Sequence, residues 1–314
     1  MKKAVEIVDV SPRDGIQIER KVLSPEIRLE LIRQLEKSGL RSIEIGAFVN
    51  PKLVPQMAHL PEICKHLDFA GKVHYTALVP NLKGFELAVT SGMKHVRLVI
   101  VASETLNKAN FKCSINDSLR GFEQIARLSR SKKVDFGVII GASFGCPYEG
   151  DVPSHHVINI AKQLVELGAD EVIMADTTGM GIPDQVERRC GEMIDMLISL
   201  QSENKIGVHL HNTRNTGYAN AYAAYNAGIR LFDTSMGGIG GCPFSPNALG
   251  NIATEDLVHM FNGMGIETGI DLSEIVSGAK WLEKHLEKTV PAMIGKAEPV
   301  YPLLSISKGK KQLR

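Results

Sequence analysis

Apolar residues along this chain fall into short runs separated by stretches of helical periodicity. Val5–Val10 predicts a first strand. Ser24-Pro25-Glu26 follows, giving an N-cap residue type, a proline at the first helical position and an early acid. Ile27, Leu31 and Leu35 then recur on one helical face, and Gly39 marks the exit. Ser42–Val49 reads as a second strand. Further strand-like runs follow at Val73–Val79, His95–Ala102, Asp135–Ser143, Glu171–Asp176, Lys205–His211 and Leu231–Ser235. Helical patterns lie between most of them, as at His156–Leu167, Pro183–Leu200 and Gly217–Ala227. One more helical region is expected after Asp271, before a basic end at Lys308–Arg314.

Alternation of this kind implies parallel strands covered by helices. Eight units with no linker or low-complexity break predict an α/β fold, a (β/α)8 TIM barrel, over residues 1–290 with a tail at 291–314. A doubly wound open sheet is the competing architecture. Its dinucleotide site would need GxGxxG after the first strand, and Ser11-Pro12-Arg13-Asp14-Gly15 does not supply it.

Composition narrows the function classes. A length of 314 residues with 44% hydrophobic content suffices for one large core. The net charge of +1 argues against a polyanion surface, so no nucleic-acid partner is expected. There is no run of 18 apolar residues, so no membrane span is expected. Acidic residues interrupt the N-terminal run, which excludes a signal-peptide core, and the scattered cysteines make a reducing cytoplasm the expected location. The five cysteines, at 64, 113, 146, 190 and 242, form no CxxC pair and no disulfide framework.

In a barrel the chemistry collects where strands end. Polar residues gather there: Arg13, Asp14 and Gln17 after the first strand, Glu44 on the second, Asp176-Thr177 after the sixth, and His209-Leu210-His211-Asn212 at the seventh. After the eighth comes Gly237-Gly238-Ile239-Gly240-Gly241-Cys242-Pro243. Residues i and i+2 of a strand point to one face, so His209 and His211 can share a cation. Two hydrogen-bonded core histidines are the alternative. Asp14 is the natural anionic ligand, and carboxylate plus imidazole suits Mg²⁺ or Mn²⁺ better than a thiolate-based structural zinc site. By itself Arg13-Asp14 also reads as a surface ion pair. Cys242 in its glycine-lined loop offers an acid or nucleophile, or a small buried apolar side chain.

Several segments carry a resemblance. Ser11–Gln17, Asn81-Leu82-Lys83-Gly84-Phe85, Gly145-Cys146-Pro147-Tyr148-Glu149-Gly150, Gly240-Gly241-Cys242-Pro243-Phe244 and Gly250–Val258 resemble the 3-hydroxy-3-methylglutaryl-CoA lyase family, from about residue 4 to about residue 290. The resemblance implies a TIM barrel holding one Mg²⁺ or Mn²⁺ on Asp14, His209, His211 and Asn251. It places Arg13, Glu44, Asp176, His209 and Cys242 with the catalytic residues. The implied reaction is metal-dependent cleavage of a 3-hydroxyacyl-CoA, taken forward as 3-hydroxy-3-methylglutaryl-CoA giving acetyl-CoA and acetoacetate. It also implies an acyl-CoA substrate and a homodimer. Related isopropylmalate and citramalate synthases usually carry an extra C-terminal domain, which a chain of this length is not expected to hold. An acyl-CoA/2-oxoacid condensing synthase on the same barrel, and a catalytically silent metal-binding scaffold, are the competing functions.

Three departures bear on the substrate. Familiar members of the family have serines where this chain has Ala47 and Ile173, and Asp-Thr after His-x-His where it has Asn212-Thr213-Arg214. Losing two hydroxyls predicts a less polar distal pocket that fits a longer or branched 3-hydroxyacyl-CoA. Arg214 offers a carboxylate a cation from another direction. Gln17, Ala47, Ile173, Thr177 and Arg214, with Arg13, are the expected substrate contacts.

Overall fold

The computed structural model describes residues 4–241 and 250–297. Eight strands close into a barrel in sequence order: β1 (Glu6–Asp9), β2 (Ser42–Ala47), β3 (His74–Val79), β4 (His95–Val101), β5 (Asp135–Gly141), β6 (Glu171–Asp176), β7 (Lys205–Leu210) and β8 (Leu231–Thr234). All eight pairings are parallel, including β8 against β1. The expected TIM barrel is therefore the observed fold. The helices are α1 (Pro25–Lys37), α2 (Leu60–Cys64), α3 (Leu82–Thr90), α4 (Glu104–Phe111), α5 (Ile115–Lys132), α6 (Ser154–Glu166), α7 (Pro183–Ser199), α8 (Gly217–Ala227), α9 (Thr254–Gly263) and α10 (Leu272–Leu286). None of them is long and apolar enough to cross a membrane.

Local chemistry explains the helix starts. The Ser24 side chain accepts from the Ile27 amide, with Pro25 in the first turn of α1. Ser114 and Asp117 form a reciprocal capping box on α5. Leu31, Ile32 and Leu35 of α1 are fully buried against the strands, each side chain worth about 1.5–3 kcal/mol of transfer free energy.

Two of the motifs that carry the resemblance prove to be architectural. Asn81 caps α3 by accepting from the Gly84 amide at 3.0 Å. A side chain at Gly84 would stand 2.6 Å from the Phe48 carbonyl oxygen, so the helix sits directly on the end of β2. Cys146 and Gly150 exchange two backbone hydrogen bonds of 2.8 Å, and Glu149 accepts from the Thr105 amide at the start of α4.

The first strand is shorter than its apolar run. Val10 instead opens a single π turn, Ser11–Gly15, in which the Gly15 amide donates to the Val10 carbonyl at 3.1 Å. The wide turn places Arg13 and Asp14 at the C-terminal mouth of the barrel, a common use of π turns. A register shift between Glu44 and Ala47 interrupts the β2–β3 ladder at the same end.

Candidate metal centre and active site

The mouth holds a dry cluster of charges. Arg13, Asp14, Glu44, His209, His211 and Asn251 are all buried. Arg13 donates from Nε to Glu44 at 2.5 Å and from Nη1 to Asp14. The surface ion pair read from Arg13-Asp14 is thus a buried one. Asp14 Oδ2 lies 3.9 Å from His209 Nε2, 3.8 Å from His211 Nε2, and accepts from Asn251 Nδ2 at 2.8 Å. The two Nε2 atoms approach to 3.1 Å. Among the described residues, Asp14, His209 and His211 are the one group whose ligand atoms converge in this way, all within 4.8 Å.

The donor chemistry fits a divalent cation. His209 Nδ1 lies 3.2 Å from Asp233 Oδ2. A carboxylate only accepts, so that nitrogen carries the hydrogen and Nε2 presents its lone pair to the cluster. Asn251 Oδ1 is buried with no hydrogen-bond partner. Two imidazole nitrogens, a carboxylate and an unpartnered amide oxygen, with no thiol among them, are ligands for a hard or borderline cation. Charge points the same way. Four ion-paired carboxylates inside the barrel (Asp14, Glu44, Glu171, Asp233) face two guanidinium groups (Arg13, Arg97) and the two histidines.

The electrostatics are those of a buried network. Burial would raise the Asp14 carboxyl, but Arg13, the two histidines and the Asn251 hydrogen bond outweigh it and hold it at about 2. Burial likewise opposes ionisation of Asp233, and Arg97 and His209 overcome it. Glu44 keeps Oε1 unpartnered. Arg13 commits Nε and Nη1, and its Nη2 makes no hydrogen bond among the described residues.

The remaining expected site residues divide. Asp176 lies outside the ligand cluster: its oxygens accept from the Met180 and Gly181 amides at 2.8 and 3.0 Å. Burial pushes its carboxyl up to about 6, and these bonds give it the loop after β6 to hold. Thr177 is half-buried, with Oγ1 accepting from the Ala142 amide at 3.1 Å. Arg214 is exposed and donates to the carbonyls of Thr178 and Gly179, so it clamps that same loop. Gln17 is half-buried and Ala47 is buried. Ile173 is fully buried inside the barrel, its Cδ1 2.5 Å from where a side chain at Gly207 would begin. Cys242 lies outside the described residues. Gly240, two residues before it, has φ +120°, and a side chain there would meet Asn251 Nδ2 at 2.5 Å and the Asp14 carboxylate at 3.1 Å. The glycine-rich loop therefore begins in contact with the ligand cluster.

Three interior residues escaped the sequence reading: Arg97, Glu171 and Asp233. The signal was present in principle, as charged residues within apolar strand runs (Val96-Arg97-Leu98 and Phe232-Asp233-Thr234) are rarely buried unless paired.

Comparison with known proteins places this geometry. The HMGL-like family model matches residues 4–281. The (R)-citramalyl-CoA lyase of Chloroflexus aurantiacus is 51% identical over 310 residues, covering 96% of each chain. A hydroxymethylglutaryl-CoA lyase of Bacillus subtilis is 38% identical, covering 92% of this chain and 96% of its own. The structure of an HMG-CoA lyase from Acinetobacter baumannii in complex with coenzyme A and 3-methylmalate superposes with a TM-score of 0.90. It is 37% identical and covers 96% of this chain and 97% of that one.

Proposed function

The chain belongs to the HMGL-like family, and from that membership we propose that it cleaves (R)-citramalyl-CoA to acetyl-CoA and pyruvate. That it is a CoA-ester lyase follows from its relatives. The acyl group is our reading. The observation that carries it is Ile173, packed over Gly207 in the barrel interior. Gly207 lies two residues before His209 on the same strand face, so this layer is the floor beneath the ligand cluster. An isoleucine there fills space that a serine leaves. Citramalyl differs from methylglutaryl by lacking one methylene between the tertiary carbon and the free carboxylate, which suits a raised floor. The 51% identity to a citramalyl-CoA lyase supports the same choice.

The chain's own residues divide the work. Asp14, His209, His211 and Asn251 would hold one Mg²⁺ or Mn²⁺, which supplies Lewis acidity at the substrate's tertiary hydroxyl. Asp14, ionised through the physiological range, is the base we assign to the hydroxyl proton. The bond between the hydroxyl-bearing carbon and the methylene next to the thioester then breaks. Its electron pair passes to the methylene carbon and the thioester oxygen, and pyruvate is released as the ketone. Arg13, fixed by Glu44 and Asp14, directs Nη2 at the developing enolate oxygen. Cys242 is the acid we assign to the methylene carbon, which completes acetyl-CoA. Asp176 and Arg214 steady the loop after β6.

The test is metal-dependent cleavage of (R)-citramalyl-CoA and of 3-hydroxy-3-methylglutaryl-CoA in parallel, with pyruvate and acetoacetate quantified. One methylene is worth about 10–200-fold in kcat/KM, and we expect that preference for citramalyl-CoA. Ile173→Ser is expected to narrow it. A wild-type enzyme that prefers the methylglutaryl ester returns the assignment to the sequence-based expectation.

A further inference from the structure

Beneath the ligand cluster lies an ion network that the reaction does not touch. Arg97, on β4, donates from Nε to Glu171 Oε1 at 2.7 Å and from Nη1 to both Asp233 oxygens at 2.9 and 3.0 Å. These residues sit on β4, β6 and β8, which are not neighbours, so the guanidinium reaches across the barrel interior. Gly137, on β5 between the first two strands, makes the reach possible. A side chain there would stand 2.9 Å from Glu171 Oε1. Arg97 and Asp233 are essentially inaccessible to water.

Stability alone explains this network poorly. Buried ion networks generally give no gain over apolar packing of similar volume, because desolvation offsets attraction. The network does have an outlet. Asp233 Oδ2, held by Arg97, also accepts from His209 Nδ1 at 3.2 Å.

We propose that Arg97 is a positioning residue of the metal centre. Its Nη1, steadied by the Nε bond to Glu171, pins both oxygens of the Asp233 carboxylate, and Asp233 in turn holds the His209 ring with Nε2 facing Asp14 and His211. The inference rests on the metal-centre reading above. A lysine cannot replace the fork. It carries the charge as a single point donor on a flexible stem, and cannot serve Glu171 and both Asp233 oxygens at once.

The experiment titrates the metal-stripped full chain with Mn²⁺, followed by electron paramagnetic resonance. Arg97→Lys keeps the charge and removes only the fork. We expect Mn²⁺ to bind about 10–100-fold more weakly, with KM for the acyl-CoA unchanged at saturating Mn²⁺. Glu171→Gln keeps the bonds from Arg97 to Asp233. It is expected to lower the melting temperature while weakening Mn²⁺ by well under about tenfold. A folded Arg97→Lys that binds Mn²⁺ as the wild type does reduces the network to a structural clamp and overturns the proposal. Should Arg97→Lys not fold, Asp233→Asn takes its place. A loss of about tenfold or more supports the proposal, and unchanged affinity overturns it. His209→Ala separates the two readings. If it binds Mn²⁺ normally, the metal centre itself is misassigned. If it loses binding while Arg97→Lys keeps it, only the role of Arg97 fails.

Discussion

Acids and bases meet inside the strand ring at both ends of this barrel, but they are finished differently. At the N-terminal rim, Glu6 accepts from Ser42 and from Lys205, both at 2.8 Å. His95 lies between Thr76 and Asp170, at 3.1 Å from each. Lys205 and Asp170 are exposed, so the rim's charges are both paired and wetted. At the mouth the charges are dry, and Glu44 Oε1, Asn251 Oδ1 and Ser235 Oγ have no partner. Pairing that is complete and solvated maintains a fold. Pairing that is incomplete and desolvated costs stability and is retained where a ligand completes it.

Substitutions at the two ends should therefore separate activity from stability. The largest effect is expected from His209→Ala, which removes a proposed ligand and should abolish cleavage while circular dichroism shows the barrel intact. Retention of turnover would place the chemistry elsewhere. Arg13→Lys comes next. It keeps the charge, loses the fork to Glu44 and Asp14, and is expected to lower kcat by about 10²–10³-fold. A fall confined to KM would make Arg13 a binding group and weaken its assignment to the enolate.

The third prediction concerns Glu255, which accepts from the Gly237 amide with both oxygens, at 3.1 and 3.0 Å, at the base of the glycine-rich loop. Burial pushes its carboxyl from the ordinary 4.5 up to about 8. Between those values the folded state keeps a proton that the unfolded state has lost. This contribution is complete below about pH 4.5 and lost as pH rises through about 8. Urea unfolding of Glu255→Gln should show a flatter dependence over that window than the wild type. Parallel curves would assign the titration to another group. The smallest effect belongs to the rim. Lys205→Ala removes a half-exposed pair and should change stability by no more than about 1 kcal/mol, with kcat unchanged. A large loss of activity there would erase the distinction between the two ends.

Much of this was legible in the chain. All eight strands were expected from apolar runs, and β6 and α8 match their expected limits. Six other strands end a residue or more before their expected limit, because the sequence pattern continues past the hydrogen-bonded ladder; Val10 belongs to the π turn. His209-x-His211 was readable because strand geometry fixes where i and i+2 point. The network of Arg97 was not, because its partners lie 74 and 136 residues away and meet only when the barrel closes. Arg214 and Ile173 show the opposite limit. Both were expected as substrate contacts from departures within the resemblance; Arg214 donates to the Thr178 and Gly179 carbonyls, and Ile173 is buried in the layer beneath the ligand cluster. Sequence position placed these residues near the mouth but did not fix the direction of their side chains.

The excess of carboxylates over guanidinium groups inside the barrel reaches beyond catalysis. An interior short of positive charge folds more favourably when a cation is supplied, so occupancy and folding become one equilibrium. Every tenfold rise in free cation above the dissociation constant adds about 1.4 kcal/mol to the stability of the folded chain. A chelator then acts as a denaturant. In a cell short of the metal, the amount of intact protein would follow the supply, so abundance as well as turnover would record how much cation is available.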